Sequence, residues 1–229
     1  MFTYLILNLL TISVPLIRSF EPKINYVGKW KQFFIANSIV AAFFIIWDVW
    51  FTKLGVWSFS HDYTLGFRIL GLPFEEWLFF IAIPFACVFI YLVLRYFIKE
   101  KSWFKHHKIV SIVLGLASII IAAIFYDRMY TTTTFSLLGV LLLLHGFVFK
   151  KAYMAYFYIG YAIALIPFAI VNGVLTAKPV VMYNDFENLG IRLHTIPVED
   201  VFYGMLLILM NVTIYEWLMN RKVSKLRAK

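Results

Sequence analysis

The chain has 229 residues, of which 62% are hydrophobic, 20% aromatic and 14% charged, with a mean hydropathy of +0.83. Soluble domains carry about 25% charged residues, so a water-soluble globular fold is excluded and a membrane protein is implied. The net charge of +9 then reads as a topology signal and an attraction to anionic lipid, not a nucleic-acid footprint.

Seven apolar segments are long enough to cross a hydrocarbon core about 30 Å thick. They lie near residues 2–19, 33–52, 75–97, 109–126, 134–149, 153–171 and 198–219. The first starts at Met1 with no basic leader and no small-residue cleavage site, so it is expected to be retained as a helix. The single cysteine, Cys87, lies in an apolar stretch with no histidine nearby in sequence and reads as a packing thiol.

Basic residues set the expected orientation. Sixteen of the twenty-one fall on one side: Arg18, Lys23, Lys29, Lys31, Arg95, Lys99, Lys101, Lys105, Lys108, Lys150, Lys151, Arg221, Lys222, Lys225, Arg227 and Lys229. Lys53, Arg68, Arg128, Lys178 and Arg192 fall on the other. The C terminus is expected in the cytoplasm and the N terminus outside, in an integral multi-pass protein of the cell membrane. His106 and His107, in a basic loop, read as solvated surface residues. The acids are distributed oppositely: only Glu21, Glu100 and Glu216 of the twelve are on the cytoplasmic side. Acidic residues contribute little to orientation, so this bias calls for another reason.

An internal repeat supplies one. A shift of 124 positions aligns residues 48–91 with 172–215 without a gap. Asp48 falls on Asn172, Gly66 on Gly190, Arg68 on Arg192, Pro73 on Pro197, Glu75 on Glu199, Glu76 on Asp200 and Tyr91 on Tyr215. "GLPFEEWLFF" thus has a twin in "TIPVEDVFYG". Each is Pro-x-Glu-Glu/Asp, follows Gly-x-Arg, and opens a membrane helix. Three helices per repeat and one linking helix leave both copies in the same orientation, with both acidic pairs at one face. The expected fold is an all-α membrane protein of seven transmembrane helices, two parallel three-helix repeats joined by a linking helix. Residues 1–98 form the first repeat, 99–133 the basic loop and linking helix, 134–220 the second repeat and 221–229 a basic tail.

Proline early in a helix and carboxylates in its first turn also make a good helix start. That reading explains one motif but not its repetition together with Gly-x-Arg and the upstream Asp/Asn. Acidic side chains entering a membrane segment are costly and point to function.

The duplicated Pro-x-Glu-Glu/Asp, the three-helix repeats and the outer loop "FTKLGVWSF" resemble the integral-membrane lycopene cyclases of bacteria and archaea. That family occurs as two small subunits or as one fused chain, and in fungi is joined to a phytoene synthase. One departure stands out: the second copy reads "VVMY" at 180–183 where the first has "VWSF" at 56–59, which suggests specialised halves. The resemblance implies non-redox, acid-catalysed cyclisation of the acyclic ends of lycopene to β-ionone rings, giving β-carotene by way of γ-carotene. It implies a carotenoid drawn from the bilayer, surrounding lipid, no cofactor and no metal. Contact with other carotenoid-pathway enzymes and the oligomeric state are left open.

The chemistry requires an acid, a dry apolar site and electron-rich faces for a cation. A carboxyl in an apolar site or beside a second carboxyl favours its protonated form, the form a general acid needs. Glu75 with Glu76, and Glu199 with Asp200, supply two such pairs, with Glu75 and Glu199, the identical members, as the principal candidates. Trp57, Phe59, Trp77, Phe79 and Tyr203 flank the motifs and can stabilise a cation or serve as interface belt and packing. Asp48 and Asn172 are expected to hydrogen-bond the acidic pairs. For Arg68 and Arg192 an ion pair with carboxylates and contact with lipid headgroups are both open.

Other classes fit less well. A retinal protein needs a lysine within a helix, and none falls mid-segment. An intramembrane prenyltransferase needs aspartate-rich Mg²⁺ motifs, of which "YNDFEN" at 183–188 and the isolated Asp127 are a faint echo. A small transporter or proton-conducting protein would spread its acids through the membrane. No strand-then-helix unit carries a Gly-x-Gly-x-x-Gly loop, so the chain does not resemble the flavin-dependent soluble-type cyclases. His61, His145 and His194 are scattered; His145 reads as a packed, hydrogen-bonded residue and His194, three residues before Pro197, as a minor participant.

Overall fold

Each apolar run folds as a helix, because a chain in hydrocarbon must satisfy its backbone polar groups internally. The computed structural model describes residues 2–99, 102–149 and 151–227. Met1, Glu100, Lys101, Lys150 and Lys229, used above in reading the N-terminal segment and the charge distribution, lie outside the described residues. The α-helices are α1 (Thr3–Arg18), α2 (Trp30–Leu54), α3 (Phe74–Phe97), α4 (His107–Ile124), α5 (Met129–Leu143), α6 (Tyr153–Ala177) and α7 (Val198–Arg227). Among the described residues six helical stretches are long and apolar enough to cross a membrane. Helix α1, at 16 residues, reaches about 24 Å at 1.5 Å per residue.

Helices α2, α5, α6 and α7 all outrun their expected ends, and in α5 and α6 hydroxyl hydrogen bonds and burial support residues of low helix propensity. Helix α5 begins at Met129, not 134, and continues through a π-helical turn at Leu144–Phe149. Its β-branched Thr131–Thr134 run is a poor helix former in isolation. Here Thr131 and Thr134 are buried, and the Thr132 hydroxyl donates to the Phe125 carbonyl at 2.6 Å. Helix α6 continues past 171 to Ala177, and the Thr176 hydroxyl donates to the Asn172 carbonyl at 2.9 Å.

The all-α expectation misses six short strands: β1 (Trp57–Phe59), β2 (Arg68–Ile69), β3 (Leu72–Pro73), β4 (Val181–Tyr183), β5 (Arg192–Leu193) and β6 (Ile196–Pro197). At two or three residues each they are too short to show alternation in sequence. Strands β2 and β3 pair as Arg68↔Pro73 and Ile69↔Leu72, and β5 and β6 as Arg192↔Pro197 and Leu193↔Ile196. The turns match too, with Leu70 at φ 54° and His194 at φ 60°. Strands β1 and β4 join the two halves of the chain antiparallel, Trp57↔Tyr183, Ser58↔Met182 and Phe59↔Val181. This register is the one a two-fold relation between equivalent strands generates, with Ser58 and Met182 at its centre.

Helix packing follows the same reciprocity. Helix α2 lies on α7 and α3 on α6, while α1 lies on α3 and α5 on α7. Helices α4 and α5 approach closely where Gly115 meets Gly139; a methyl on Gly139 would stand 3.0 Å from the Gly115 carbonyl oxygen, so small residues set this contact. The core is strongly aromatic and runs between α2, α3, α6 and α7. At the end away from the strands, the Tyr91 hydroxyl and the Arg95 guanidinium both donate to buried Glu216, tying α3 to α7. Cys87 packs against the core as expected of a thiol with no partner. His107 is buried, contrary to the surface reading, because it opens α4 and faces the bundle, whereas His106 is exposed.

Candidate active site

Hairpins β2–β3 and β5–β6 deliver the acidic pairs. Pro73 closes β3 and caps α3 at φ −57° and ψ 146°, leaving Phe74 as the first helical residue. The proline therefore precedes the helix and does not occupy its first turn. The Phe74 N–H donates to Phe67 and the Val198 N–H to Ile191, both at 3.0 Å, which places Glu75, Glu76, Glu199 and Asp200 in the first turn of α3 or α7. All four are buried.

The outer member of each pair holds a loop. Glu75 Oε1 accepts the Leu65 N–H at 2.6 Å, and Glu199 Oε1 accepts the Leu189 N–H at 2.7 Å. Glu199 also accepts the Thr131 hydroxyl at 2.6 Å. The second oxygen of each has no hydrogen-bond partner among the described residues. Glycines at φ +81° (Gly66) and φ +69° (Gly190) bend the loops so that the preceding N–H meets the carboxyl.

The inner members meet donors from other helices. Glu76 Oε2 accepts the Tyr4 hydroxyl at 2.5 Å. Asp200 accepts three donors: the Tyr130 hydroxyl at 2.7 Å on Oδ1, and the Tyr183 hydroxyl and Asn172 amide at 2.8 Å each on Oδ2. Asp48 Oδ1 accepts the Trp57 indole N–H at 2.6 Å, while its Oδ2 is unpartnered among the described residues. Asn172 thus contacts its own half's acid, whereas Asp48 holds the Trp57 indole. Tyr183 lies outside the spans; burial first, then the negative charge of Asp200, pushes its phenol well above the ordinary range, keeping it a donor.

Aromatic rings enclose this cluster. Tyr203 stands 5.0 Å from Phe44, 5.1 Å from Trp47 and 6.1 Å from both Trp57 and Tyr130, measured between ring centroids. Trp57 lies 5.1 Å from Tyr130 and 6.3 Å from Tyr183, its register partner in β4. Tyr183 occupies the position equivalent to Phe59, so "VVMY" replaces an aromatic hydrocarbon by a phenol that reaches Asp200. Phe59 is buried in the core. Trp77 points elsewhere, donating to the Ile69 carbonyl at 3.4 Å.

The arginines do not pair with the motif acids. Arg68 donates to the Gly71 carbonyl at 3.1 Å and to the Phe59 carbonyl at 2.8 Å. Arg192 donates to the Thr195 carbonyl at 2.9 Å and forms an ion pair with Asp185. Gly71 and Thr195 are equivalent in the repeat, so each Gly-x-Arg staples its own hairpin turn. The "YNDFEN" stretch is likewise structural: Glu187 accepts the Met129 N–H at 3.1 Å at the start of α5, and Arg128 donates to the Asn188 carbonyl. Asp127 and His194 are exposed; His194 sits at the tip of the second hairpin, which removes it from the cluster. His145 is buried and shares a 2.9 Å hydrogen bond with Thr213, in keeping with a packing role. Among the described residues no group of three or more His, Cys, Asp or Glu is arranged to hold a metal ion.

Sequence reading misses Tyr4, Tyr130, Thr131 and Tyr183. Tyr4 and Tyr130 are counterparts, since each also donates its backbone N–H to an equivalent carbonyl, Tyr63 at 3.3 Å and Glu187 at 2.8 Å. Their spacing is 126, not 124, so the ungapped alignment passes over them. Two open cavities, of about 350 and 330 Å³, lie elsewhere, at the end of the bundle that carries Arg18, Lys23, Lys29 and Arg95.

The arrangement offers proton-carrying groups within aromatic walls and buried from water, the conditions under which a proton can be passed to a hydrocarbon and a carbocation can survive. No curated protein and no solved structure matches the chain. The family model described as lycopene cyclase matches residues 1–94 and 127–218. The stretch between them, 95–126, holds the basic loop and α4. With both acidic pairs and most of the chain inside the matched regions, the protein belongs to the lycopene cyclase family.

Proposed function

We propose that this protein is a lycopene β-cyclase, an intramolecular lyase of the membrane that closes the acyclic ends of lycopene into β-ionone rings without net redox change. The observation that carries the reading is that β1–β4 pairing joins the halves where Trp57, the donor to Asp48, lies 5.1 Å from Tyr130, the donor to Asp200, so that carboxyls of both halves border one aromatic-walled cluster. Protonation at C2 of the terminal double bond leaves a tertiary cation at C1. The C5=C6 electrons attack it, forming the C1–C6 bond and moving the charge to C5, and loss of the C6 proton restores the double bond as a β-ring. The carboxyls of Glu76 and Asp200 manage the proton, and Glu75 and Glu199, each holding a loop amide, fix the helix starts that carry them. Tyr203 and Trp57 present faces to the cation, an interaction worth roughly 2 kcal/mol where water is excluded.

Under this reading the chain spans the membrane seven times as two parallel three-helix repeats, the second beginning with α5, joined by α4. The N terminus is outside and the C terminus in the cytoplasm, which places the acids near the outer face, in contact with a polyene lying in the lipid. A tag at the C terminus that is reached by protease only from the cytoplasmic side tests the orientation.

The activity is tested by expressing the chain alone in a lycopene-accumulating bacterial host and separating the extracted pigments. Ringed carotenoids are expected from the native chain and none from the triple variant Asp48→Asn/Glu76→Gln/Asp200→Asn. Unchanged lycopene with native protein present in the membrane would overturn the reading.

A further inference from the structure

We propose that the two halves divide the proton work: Asp48 and Glu76 of the first half deliver the proton, and Asp200 of the second removes it. This rests on the cyclase reading and assigns direction to it. The evidence is an imbalance of donors. Among the described residues, five side-chain or backbone donors converge on Glu199 and Asp200: Leu189, Thr131, Tyr130, Tyr183 and Asn172. Glu75 and Glu76 receive two, from Leu65 and Tyr4. An ionised carboxylate only accepts hydrogen bonds and needs several donors when buried. Asp200, with three, is built to hold the charge of a base.

The difference between the halves at one position makes the same point. Where the second half has Asn172, an amide donor to Asp200, the first has Asp48, another carboxyl. Asp48 is 2% exposed, its Oδ1 is taken by Trp57, and its Oδ2 faces no protein donor among the described residues. That oxygen is free to carry a transferable hydrogen. Trp57, which donates to Asp48, lies 5.1 Å from Tyr130, which donates to Asp200, so donor and acceptor border one set of rings and can serve one substrate end. Glu75 and Glu199, the principal candidates from sequence, each commit an oxygen to a loop amide and act as positioning residues.

The step balances without an oxidant or reductant. The hydrogen on Asp48 goes to C2, the C5=C6 electrons form C1–C6, and Asp200 takes the hydrogen from C6 as that C–H pair becomes the new C5=C6 bond. Return of the proton from Asp200 to the first-half carboxyls resets the site.

The two roles have different signatures. Asp48→Asn keeps an acceptor for Trp57 but removes the acid; ring formation in isolated membranes should slow about a hundredfold while the rings that do form remain β. Asp48→Glu should recover most of that loss, which separates chemistry from folding. Asp200→Asn should instead lengthen the life of the C5 cation, so that protons are lost from neighbouring carbons and ring isomers other than β appear. Protein in the membrane is quantified for every variant. A near-native rate for Asp48→Asn, failure of Asp48→Glu to recover it, or purely β-rings from Asp200→Asn would overturn the division of roles while leaving the cyclase reading intact. Absence of any ring from the native chain would instead remove the cyclase reading and this proposal with it.

Discussion

Glu75 and Glu199 make the same contact 124 residues apart, each accepting through Oε1 the backbone N–H of the leucine ten positions before it, at 2.6 and 2.7 Å. Each is the peg on which a Gly-x-Arg hairpin hangs, and through the hairpin the entry of α3 or α7. Because glutamine retains an accepting oxygen, Glu75→Gln should keep the fold and a measurable part of the activity. Glu75→Leu strands the Leu65 N–H and should cost about 1–3 kcal/mol, seen as a lower unfolding temperature in detergent. Equal stability of the two variants would remove the structural role.

Tyr203 is ringed by Phe44, Trp47, Trp57 and Tyr130. If its face stabilises the cation by roughly 2 kcal/mol, Tyr203→Leu should slow ring formation about thirtyfold, whereas Tyr203→Phe keeps the face and most of the rate. Initial rates in membranes supplied with lycopene decide between a π-face and simple space filling, under which both variants would behave alike.

Tyr183 is one of three donors on Asp200. A hydrogen bond to a charged group contributes about 1.5–3 kcal/mol, so Tyr183→Phe should slow turnover roughly tenfold or more. Burial and then Asp200 hold the phenol above its ordinary range. It therefore stays protonated and donating as pH rises, and the ratio of native to variant rate should be flat from about pH 6 to pH 9. A ratio that collapses within that window would show the phenol titrating and contradict the assignment.

Glu216 is 5% exposed and receives Tyr91 and Arg95. Arg95→Ala leaves that carboxylate with the tyrosine; part of the ion pair faces solvent, so the loss should be about 2 kcal/mol. The unfolding temperature in detergent should fall, while the ring isomers formed by the remaining folded protein stay those of the native chain, because this cluster lies at the other end of the bundle from the acids. A change of ring isomer would connect the two ends of the bundle.

Much of the helical frame was legible because the bilayer leaves little choice: an apolar run in hydrocarbon must close its own backbone hydrogen bonds, and each of the seven runs became a helix, six of them long enough to span. The acidic pairs were legible because duplication wrote them twice at one spacing. Local signals failed where a partner lay far along the chain. Thr131–Thr133 fall outside the expected 134–149 segment because their support comes from Glu199, 68 residues from Thr131, and the burial of His107 is illegible because nothing in its neighbours foretells the packing of α4.

Sequence by itself determined a membrane protein with two carboxyl pairs at repeated helix starts. Only the tertiary structure decided what those carboxyls meet: Tyr4 reaches Glu76 across 72 positions and Tyr130 reaches Asp200 across 70. It also turned the arginines away from the acids and onto the turns of their own hairpins. The physical reason is that a helix start is a local matter of a few residues, whereas the number of donors a buried carboxyl receives depends on which helices pack beside it.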